Sequence, residues 1–222
     1  MKYTPLSPEL YDYLIKHGQN DDPILAELAA ETAEKLGPVA MMQIAPEQGT
    51  LMNLLARSIG ARSAIEIGTF TGYSGISVAR ALPLDGKLLC CDVNEEWTGI
   101  ARRYFAKAGV ADRIDLRIAP ALDTLRSLPA DRSFDFAFID ADKVSYRSYY
   151  DALLPRMRAN GLILFDNVLW MGQVSDASNT TEDTVALRAL NDYLVKDRRV
   201  QVVMIAVSDG LTIVRKKAAG EP

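Results

Sequence analysis

Ala-Ile-Glu-Ile-Gly-Thr-Phe-Thr-Gly-Tyr-Ser-Gly, residues 64–75, is the most informative run in the chain. Its apolar start predicts a buried strand, Gly68 begins a turn, and a helix is expected from Tyr73 or Ser74. In open α/β sheets such a turn lies at the carboxyl end of a strand, where ligands bind. The glycine spacing is G-x-x-x-G-x-x-G, which differs from the G-x-G-x-x-G of nicotinamide-binding enzymes. The run therefore predicts a ligand-binding α/β sheet of a different kind.

Strands and helices are predicted to alternate on the carboxyl-terminal side of this turn. Short apolar runs predict strands at 64–67, 87–91, 114–118, 134–139 and 162–165, with amphipathic segments between them. Such alternation is typical of parallel βαβ units. The last two runs, 200–206 and 211–215, are separated by residues 207–210 alone, too few for a parallel crossover. We therefore predict a seven-stranded, mostly parallel sheet that ends in an antiparallel hairpin.

The amino-terminal side is predicted to be helical. Asp22-Pro23 combines a capping side chain with a proline at the first helical position, and Gly37 is expected to end that helix. A further helix is predicted at about 46–58. We expect one domain spanning 1–222, in which a helical extension at 1–60 precedes an α/β core at 61–217.

Composition excludes several classes of protein. The 222 residues are 49% hydrophobic and 24% charged, which is typical of a globular chain with a sizeable core. The net charge of −4 argues against a nucleic-acid binder. No apolar run approaches the roughly 20 residues that cross a bilayer, and the start of the chain lacks a signal-peptide core. Cys90 and Cys91 are sequence neighbours without metal-ligand spacing, so a cytoplasmic location is expected.

Two acidic residues lie at the predicted ligand-binding edge. Glu66 precedes the glycine turn, where a carboxylate would repel a pyrophosphate but suit a cationic sulfonium or amine. Asp92 ends the second strand and is placed to accept both hydroxyls of a ribose. The alternative is an ordinary glycine turn with two incidental acids.

A second polar cluster follows strands four and five. Asp140 and Asp142-Lys143 come directly after one strand, and Asp166-Asn167 follow the next. If the strands are neighbours, their ends lie about 5 Å apart, and an all-oxygen donor set suits Mg²⁺, with Ca²⁺ or Mn²⁺ as alternatives. Lys143 would lie close enough to act as a general base. Alternatively, Asp166-Asn167 cap a loop and Lys143 is a solvated charge.

Taken together, these segments resemble one known family. The matching runs are Glu66-Ile-Gly-Thr-Phe-Thr-Gly-Tyr-Ser74, Asp92, Ala119-Pro-Ala-Leu122, Phe138-Ile-Asp-Ala-Asp-Lys143, Asp166-Asn-Val-Leu-Trp170 and Asp209-Gly210. They resemble the cation-dependent O-methyltransferases, the caffeoyl-coenzyme A O-methyltransferase-like enzymes related to catechol O-methyltransferase. The resemblance covers residues 6–215. It implies the Rossmann-like fold of S-adenosylmethionine-dependent methyltransferases, S-adenosylmethionine as methyl donor, and a divalent metal that binds two adjacent oxygens of a catechol-type small molecule.

The resemblance also implies roles for individual positions. Its metal ligands fall on Asp140, Asp166 and Asn167, and its catalytic positions on Lys143 and Asp140. Its cofactor contacts fall on Met42, Ile44, Glu66, Gly68, Thr69, Ser74, Asp92, Ala121, Asp140 and Asp142. Its acceptor contacts fall on Lys2, Lys143, Asn167, Trp170 and Met171.

Some positions depart from the plant members of that family. Plant enzymes often have a polar residue at the position of Ile44 and asparagine at that of Met171, and the loop 173–181 lacks their sequence. These departures favour free catechols over coenzyme A esters, as in bacterial members.

Two other functions compete with a methyltransferase. A nicotinamide-dependent oxidoreductase predicts a different glycine spacing and a catalytic Tyr-x-x-x-Lys or histidine, whereas Tyr146 has no lysine four residues later. A non-enzymatic binding protein of the same fold is expected to lose Lys143 or a metal ligand, and all are present. The apolar amino-terminal helices are expected to pack on the sheet and to form a homodimer interface.

Overall fold

The computed structural model describes residues 4–221 and contains a seven-stranded sheet in the order β3-β2-β1-β4-β5-β7-β6. The strands are β1 (Ser63–Ile67), β2 (Lys87–Asp92), β3 (Ile114–Ile118), β4 (Phe134–Ile139), β5 (Met157–Phe165), β6 (Val200–Ile205) and β7 (Leu211–Lys216). The first five are parallel, whereas β7 runs antiparallel to both β5 and β6. This topology confirms the predicted sheet and its terminal hairpin.

Eight α-helices surround the sheet within these residues. They are α1 (Pro8–Gly18), α2 (Pro23–Leu36), α3 (Pro46–Ser58), α4 (Tyr73–Ala79), α5 (Glu95–Lys107), α6 (Ala121–Ser127), α7 (Tyr146–Leu153) and α8 (Glu182–Leu194). The Asp22 side chain accepts the amides of Ile24 and Leu25, and Gly37 ends α2 with a φ of 53°, both as predicted. None of the helices described has the length and apolar character needed to span a bilayer.

The order of the strands locates the site. β1 lies between β2 and β4, so the direction of strand succession reverses between β1 and β4. Ligands bind at such a switch point, outside the carboxyl ends of the strands. The residues that follow β1, β2, β4 and β5 therefore meet at one edge of the sheet.

Two apolar layers cover the sheet, one on each face. The α2–α5 helices pack on one layer and α6–α8 on the other. Cys90 belongs to the first layer and Cys91 to the second, as alternation along a strand requires. Both are buried free thiols.

Candidate active site

The ends of β4 and β5 lie side by side, because Ile139 pairs with Phe165 in the parallel register. The Asp166 amide donates to the carbonyl of Ile139 at 3.0 Å, and the Asp140 amide donates to that of Ile67 at 2.8 Å. These bonds fix the backbone where each strand ends. The strand adjacency assumed from the sequence is therefore confirmed, and it brings both aspartates to the switch point.

Lys143 closes this edge of the sheet. Its buried ammonium donates to Asp140 Oδ1 at 3.1 Å, Asn167 Oδ1 at 2.7 Å and the Tyr146 hydroxyl at 2.7 Å. The Tyr146 hydroxyl in turn donates to the carbonyl of Asp166 at 3.2 Å. All three N–H groups are thus donated, and the ammonium bonds to oxygens of two of the three predicted metal ligands.

The charges here favour a cation. Asp166 is almost fully buried, and burial, followed by the nearby charge of Asp140, raises the pKa of its carboxyl well above the ordinary range. Within residues 4–221 no cluster of three or more His, Cys, Asp or Glu side chains is arranged to hold a metal. The predicted set has two carboxylates, and its third member is an amide oxygen. All three are hard oxygen donors, and two of them already accept hydrogen bonds from the ammonium of Lys143. The chemistry of this set therefore fits Mg²⁺.

The glycine turn after β1 fits against the end of β4. Gly68 has a φ of 90°, and a Cβ there would lie 1.7 Å from the backbone oxygen of Asp140. No larger residue fits without displacing Asp140. The turn and the carboxylate cluster therefore form one continuous edge.

Asp92 supports this turn from the end of β2. Its Oδ2 accepts the amides of Thr69 and Phe70 at 2.9 and 2.8 Å, and its Oδ1 accepts the amide of Asn94 at 2.8 Å. The sequence predicted that the Asp92 carboxylate accepts the hydroxyls of a ribose. In the structure the same carboxylate also organises the glycine turn, so removing it would disturb both the turn and any ribose contact.

Glu66 lies beneath the turn. It is fully buried, and neither carboxylate oxygen has a hydrogen-bond partner among the described residues. Thr69, Ser74 and Cys90 face it, and burial raises the pKa of Glu66 to about 8. The sequence predicted an ionised carboxylate that attracts a cation. In this state the side chain is mostly protonated at neutral pH, so its attraction requires a ligand that stabilises the ionised form.

We expect Glu66→Gln to stabilise the ligand-free protein at alkaline pH. The folded-state pKa of about 8 exceeds the ordinary 4.5, so folded Glu66 holds a proton that the unfolded chain has released. The free energy of unfolding therefore falls as pH rises from 4.5 to 8, by a few kcal/mol at most. The neutral amide removes this dependence. Denaturant unfolding at both ends of that range measures it, with the exposed Glu34→Gln as control. Parallel pH profiles for wild type and Glu66→Gln would contradict the assignment.

The other predicted cofactor positions lie on several elements. Thr69 and Ser74 are buried in and after the glycine turn, and Ala121 is the first residue of α6. Asp142 is exposed and accepts the Tyr149 hydroxyl at 2.6 Å.

Two predicted positions precede α3, and one lies at the start of the chain. Met42 is half exposed at the end of a 3₁₀ turn, whereas Ile44 is buried in the core layer with α2. Lys2 lies outside the described residues.

The segment after Asn167 passes over Lys143. The Trp170 ring centre lies 5.6 Å from Lys143 Nζ, whereas the neighbouring Met171 side chain is 71% exposed. Trp170 therefore lies next to Lys143, another of the positions where the resemblance implies an acceptor contact. Met171 faces solvent in this state.

Some residues of this edge were missed or assigned differently from sequence. Gln48, in the first turn of α3, faces Asp166, is fully buried and has an amide without a partner. Tyr146, to which the sequence assigned no role in the site, is a partner of Lys143 in the structure. The sequence signal that could have identified Gln48 was its polar side chain in the first turn of the helix predicted at about 46–58.

Both the sequence and the fold of this chain are similar to those of known O-methyltransferases. The family model described as O-methyltransferase matches residues 15–217. A caffeoyl-CoA O-methyltransferase from Eucalyptus gunnii is 38% identical over 95% of this chain and 88% of its own. TomG from Streptomyces achromogenes, an O-methyltransferase of tomaymycin synthesis solved with SAM, gives a TM-score of 0.85 at 29% identity, over 95% of this chain and 96% of that one. A Bacillus cereus O-methyltransferase solved with SAH gives 0.84 at 30%, over 93% and 96%.

Proposed function

The chain belongs to the O-methyltransferase family and is an S-adenosylmethionine-dependent enzyme, and we propose that it methylates one hydroxyl of a catechol-type small molecule with the help of a divalent cation. Both alternatives from the sequence are set aside, because a nicotinamide-dependent oxidoreductase and a non-enzymatic binding protein are inconsistent with this family. The finer proposal concerns the acceptor and the cation.

One observation carries the proposal. The ammonium of Lys143 lies within hydrogen-bond distance of Asp140 and Asn167, beside the buried Asp166. A positive charge is thus already accommodated beside the three predicted ligands. We propose that Asp140, Asp166 and Asn167 hold Mg²⁺, or Ca²⁺ or Mn²⁺ in its place. Such an ion, when bound, supplies Lewis-acid chemistry that favours the ionised form of a bound hydroxyl.

The chain's own residues supply the other functions. The glycine turn, with Glu66 and Asp92, binds the methyl donor at the switch point. Lys143, as the neutral amine, accepts the proton of the acceptor hydroxyl, and the methyl passes from sulfur to that oxygen by direct displacement. Trp170 covers the acceptor and excludes water. Since opposite charges are neutralised during transfer, positioning accounts for most of the acceleration.

We propose a catechol-type acceptor on related grounds. A divalent cation held by Asp140, Asp166 and Asn167 would have fewer protein ligands than such ions usually take, so it could also accept oxygens of the acceptor. The relative from Eucalyptus gunnii is named for a coenzyme A ester, caffeoyl-CoA. We propose free catechols for this chain, because Ile44 and Met171 differ from the residues common in plant enzymes and the loop 173–181 lacks their sequence.

We expect the protein to methylate caffeate and to leave p-coumarate, which lacks the second hydroxyl, unchanged. Both acceptors have the same side chain and ring, so the comparison isolates the vicinal oxygens. Product formation with S-adenosylmethionine and Mg²⁺ is followed by mass spectrometry, and caffeoyl-CoA is assayed in parallel. Equal methylation of the two free acids would contradict a vicinal-diol acceptor. Exclusive use of the ester would contradict a free catechol.

We also propose that the chain forms a homodimer in the cytoplasm. The α1 helix has no buried residue in the single chain, although Leu10, Leu14 and Ile15 give it an apolar stripe. A second copy is the simplest cover for such a helix. Two free, buried thiols are consistent with a reducing compartment.

A further inference from the structure

The turn between β6 and β7 is hydrogen-bonded to residues 167–171, the segment that contains Asn167 and Trp170. In this turn, the carbonyl of Gly210 accepts the amide of Val168 at 3.2 Å, and the carbonyl of Asp209 accepts the amide of Leu169 at 3.0 Å. The Asp209 side chain adds a third bond, in which Oδ1 accepts the amide of Met171 at 2.6 Å. Asp209-Gly210 was part of the family resemblance without an assigned role.

Residues 167–171 include three backbone conformations that are unfavourable for residues with a side chain. Asn167, Trp170 and Met171 have φ values of 54°, 49° and 50°, in the left-handed region. Residues with a Cβ rarely adopt this conformation, and two in succession persist only when the surroundings hold them. The bond to Asp209 is made at the second of the two, Met171. A backbone bond also closes this turn, because the carbonyl of Leu169 accepts the amide of Gly172 at 2.9 Å. The Asp209 bond adds to it the side-chain contact that ties Met171 to the turn between β6 and β7.

Gly210 explains why the turn approaches so closely. Its φ is 88°, and a Cβ there would lie 2.4 Å from Cγ of Leu169. Asn191 on α8 holds the same segment from below, where its Nδ2 donates to the carbonyl of Val168 at 3.1 Å. Val168 and Leu169 are therefore held by backbone contacts and by α8. Met171, and Trp170 before it, are held by the local bond from Gly172 to Leu169 and are tied to the turn between β6 and β7 by the Asp209 side chain.

We propose that Asp209 is a positioning residue that holds Trp170 over Lys143 and thereby sets the affinity for the methyl acceptor. The carboxylate itself contacts a backbone amide and acts through the tryptophan. This inference rests on the proposed function in one respect, that Trp170 covers the acceptor. The effect of Asp209 on the position of Trp170 is independent of it.

The first experiment measures the position of Trp170 without any substrate. The chain has two tryptophans, so Trp97→Phe leaves Trp170 as the reporter. In this background Asp209→Ala is expected to increase quenching of Trp170 fluorescence by acrylamide. Asp209→Asn is expected to resemble the parent, since its amide oxygen still accepts the Met171 amide. Asp176→Ala is the matched control, because Asp176 accepts a backbone amide, that of Ser178, farther along the same loop. Unchanged quenching in Asp209→Ala would overturn the proposal.

The second experiment measures turnover in the otherwise wild-type chain, with caffeate as acceptor. A hydrogen bond to a charged group corresponds to about ten- to hundred-fold in affinity, so the acceptor KM of Asp209→Ala is expected to rise within that range. We expect kcat at saturating acceptor and the affinity for S-adenosylhomocysteine to change little, and Asp209→Asn to restore KM. An equal loss of cofactor affinity would indicate general structural damage and overturn the proposal. If wild type does not methylate caffeate, the proposed function fails, whereas the quenching result still decides the role of Asp209.

Discussion

Replacement of Lys143 by alanine is expected to lower the rate of methyl transfer by about 10²–10⁴-fold, the usual contribution of a positioned general base. The affinity for S-adenosylmethionine should change far less. Lys143 contacts Asp140 and Asn167 and lies beneath Trp170. In the proposed mechanism the acceptor hydroxyl binds beside these residues, within reach of Lys143. Methylation by the variant should recover in part at alkaline pH, because the acceptor then ionises without help.

Lys143 also has a structural alternative, in which it only balances the charge of Asp140. The variant would then lose metal or cofactor affinity and keep the pH profile of the wild type. Single-turnover rates at mildly acidic and alkaline pH, with cofactor and Mg²⁺ saturating, distinguish the two roles. Arg147→Ala, an exposed cation in the first turn of α7, is a suitable control. A near-wild-type rate for Lys143→Ala throughout would remove this residue from the mechanism.

Asp166→Ala is expected to reduce turnover by about 10³-fold or more, because Lewis-acid assistance is worth several kcal/mol. Asp166 is one of only two carboxylates in the proposed metal site, and it is almost fully buried beside the other. Its Oδ1 also accepts the amide of Asn167 at 2.7 Å, so the variant loosens the third ligand as well.

A second variant separates metal binding from loss of structure. Asp166→Asn keeps an oxygen that can accept the Asn167 amide and removes only the charge. We expect it to fold normally, to bind S-adenosylhomocysteine and to require much more Mg²⁺ than wild type. Calorimetric titrations with Mg²⁺ and with S-adenosylhomocysteine measure the two affinities separately. Wild-type Mg²⁺ dependence in Asp166→Asn would exclude this carboxylate from the metal site.

Much of the fold could be predicted because its central strands, among them β1 and β4, are buried on both faces. Such strands read as short apolar runs, and β4 begins and ends where its run does. The bounds of β3 were also predicted correctly, although it is an edge strand with no fully buried residue. The first half of β5 was missed. Residues 157–161 are mostly polar or small, and they form a strand because Met157 pairs with Phe134 across an irregularity in the register. Pairing of this kind is set by the neighbouring strand.

The candidate site was predictable as a set of residues but not as a set of contacts. Topology alone places Asp140 and Asp166 together, since parallel neighbours end at the same edge. How deeply Glu66 is buried, and which backbone amides donate to Asp92, depend on how the glycine turn folds back on β2. The bond between Tyr146 and Lys143 depends on where α7 begins. Side-chain direction beyond a strand end follows the loop, and the sequence pattern does not define the loop.

The most direct test is turnover by wild-type protein that has been treated with EDTA and then dialysed. With caffeate and S-adenosylmethionine saturating, methylated product is followed by mass spectrometry before and after addition of Mg²⁺. We expect no turnover in the treated protein, full recovery with Mg²⁺, and undiminished binding of S-adenosylhomocysteine throughout. Full activity in the metal-free protein would contradict a cation held by Asp140, Asp166 and Asn167.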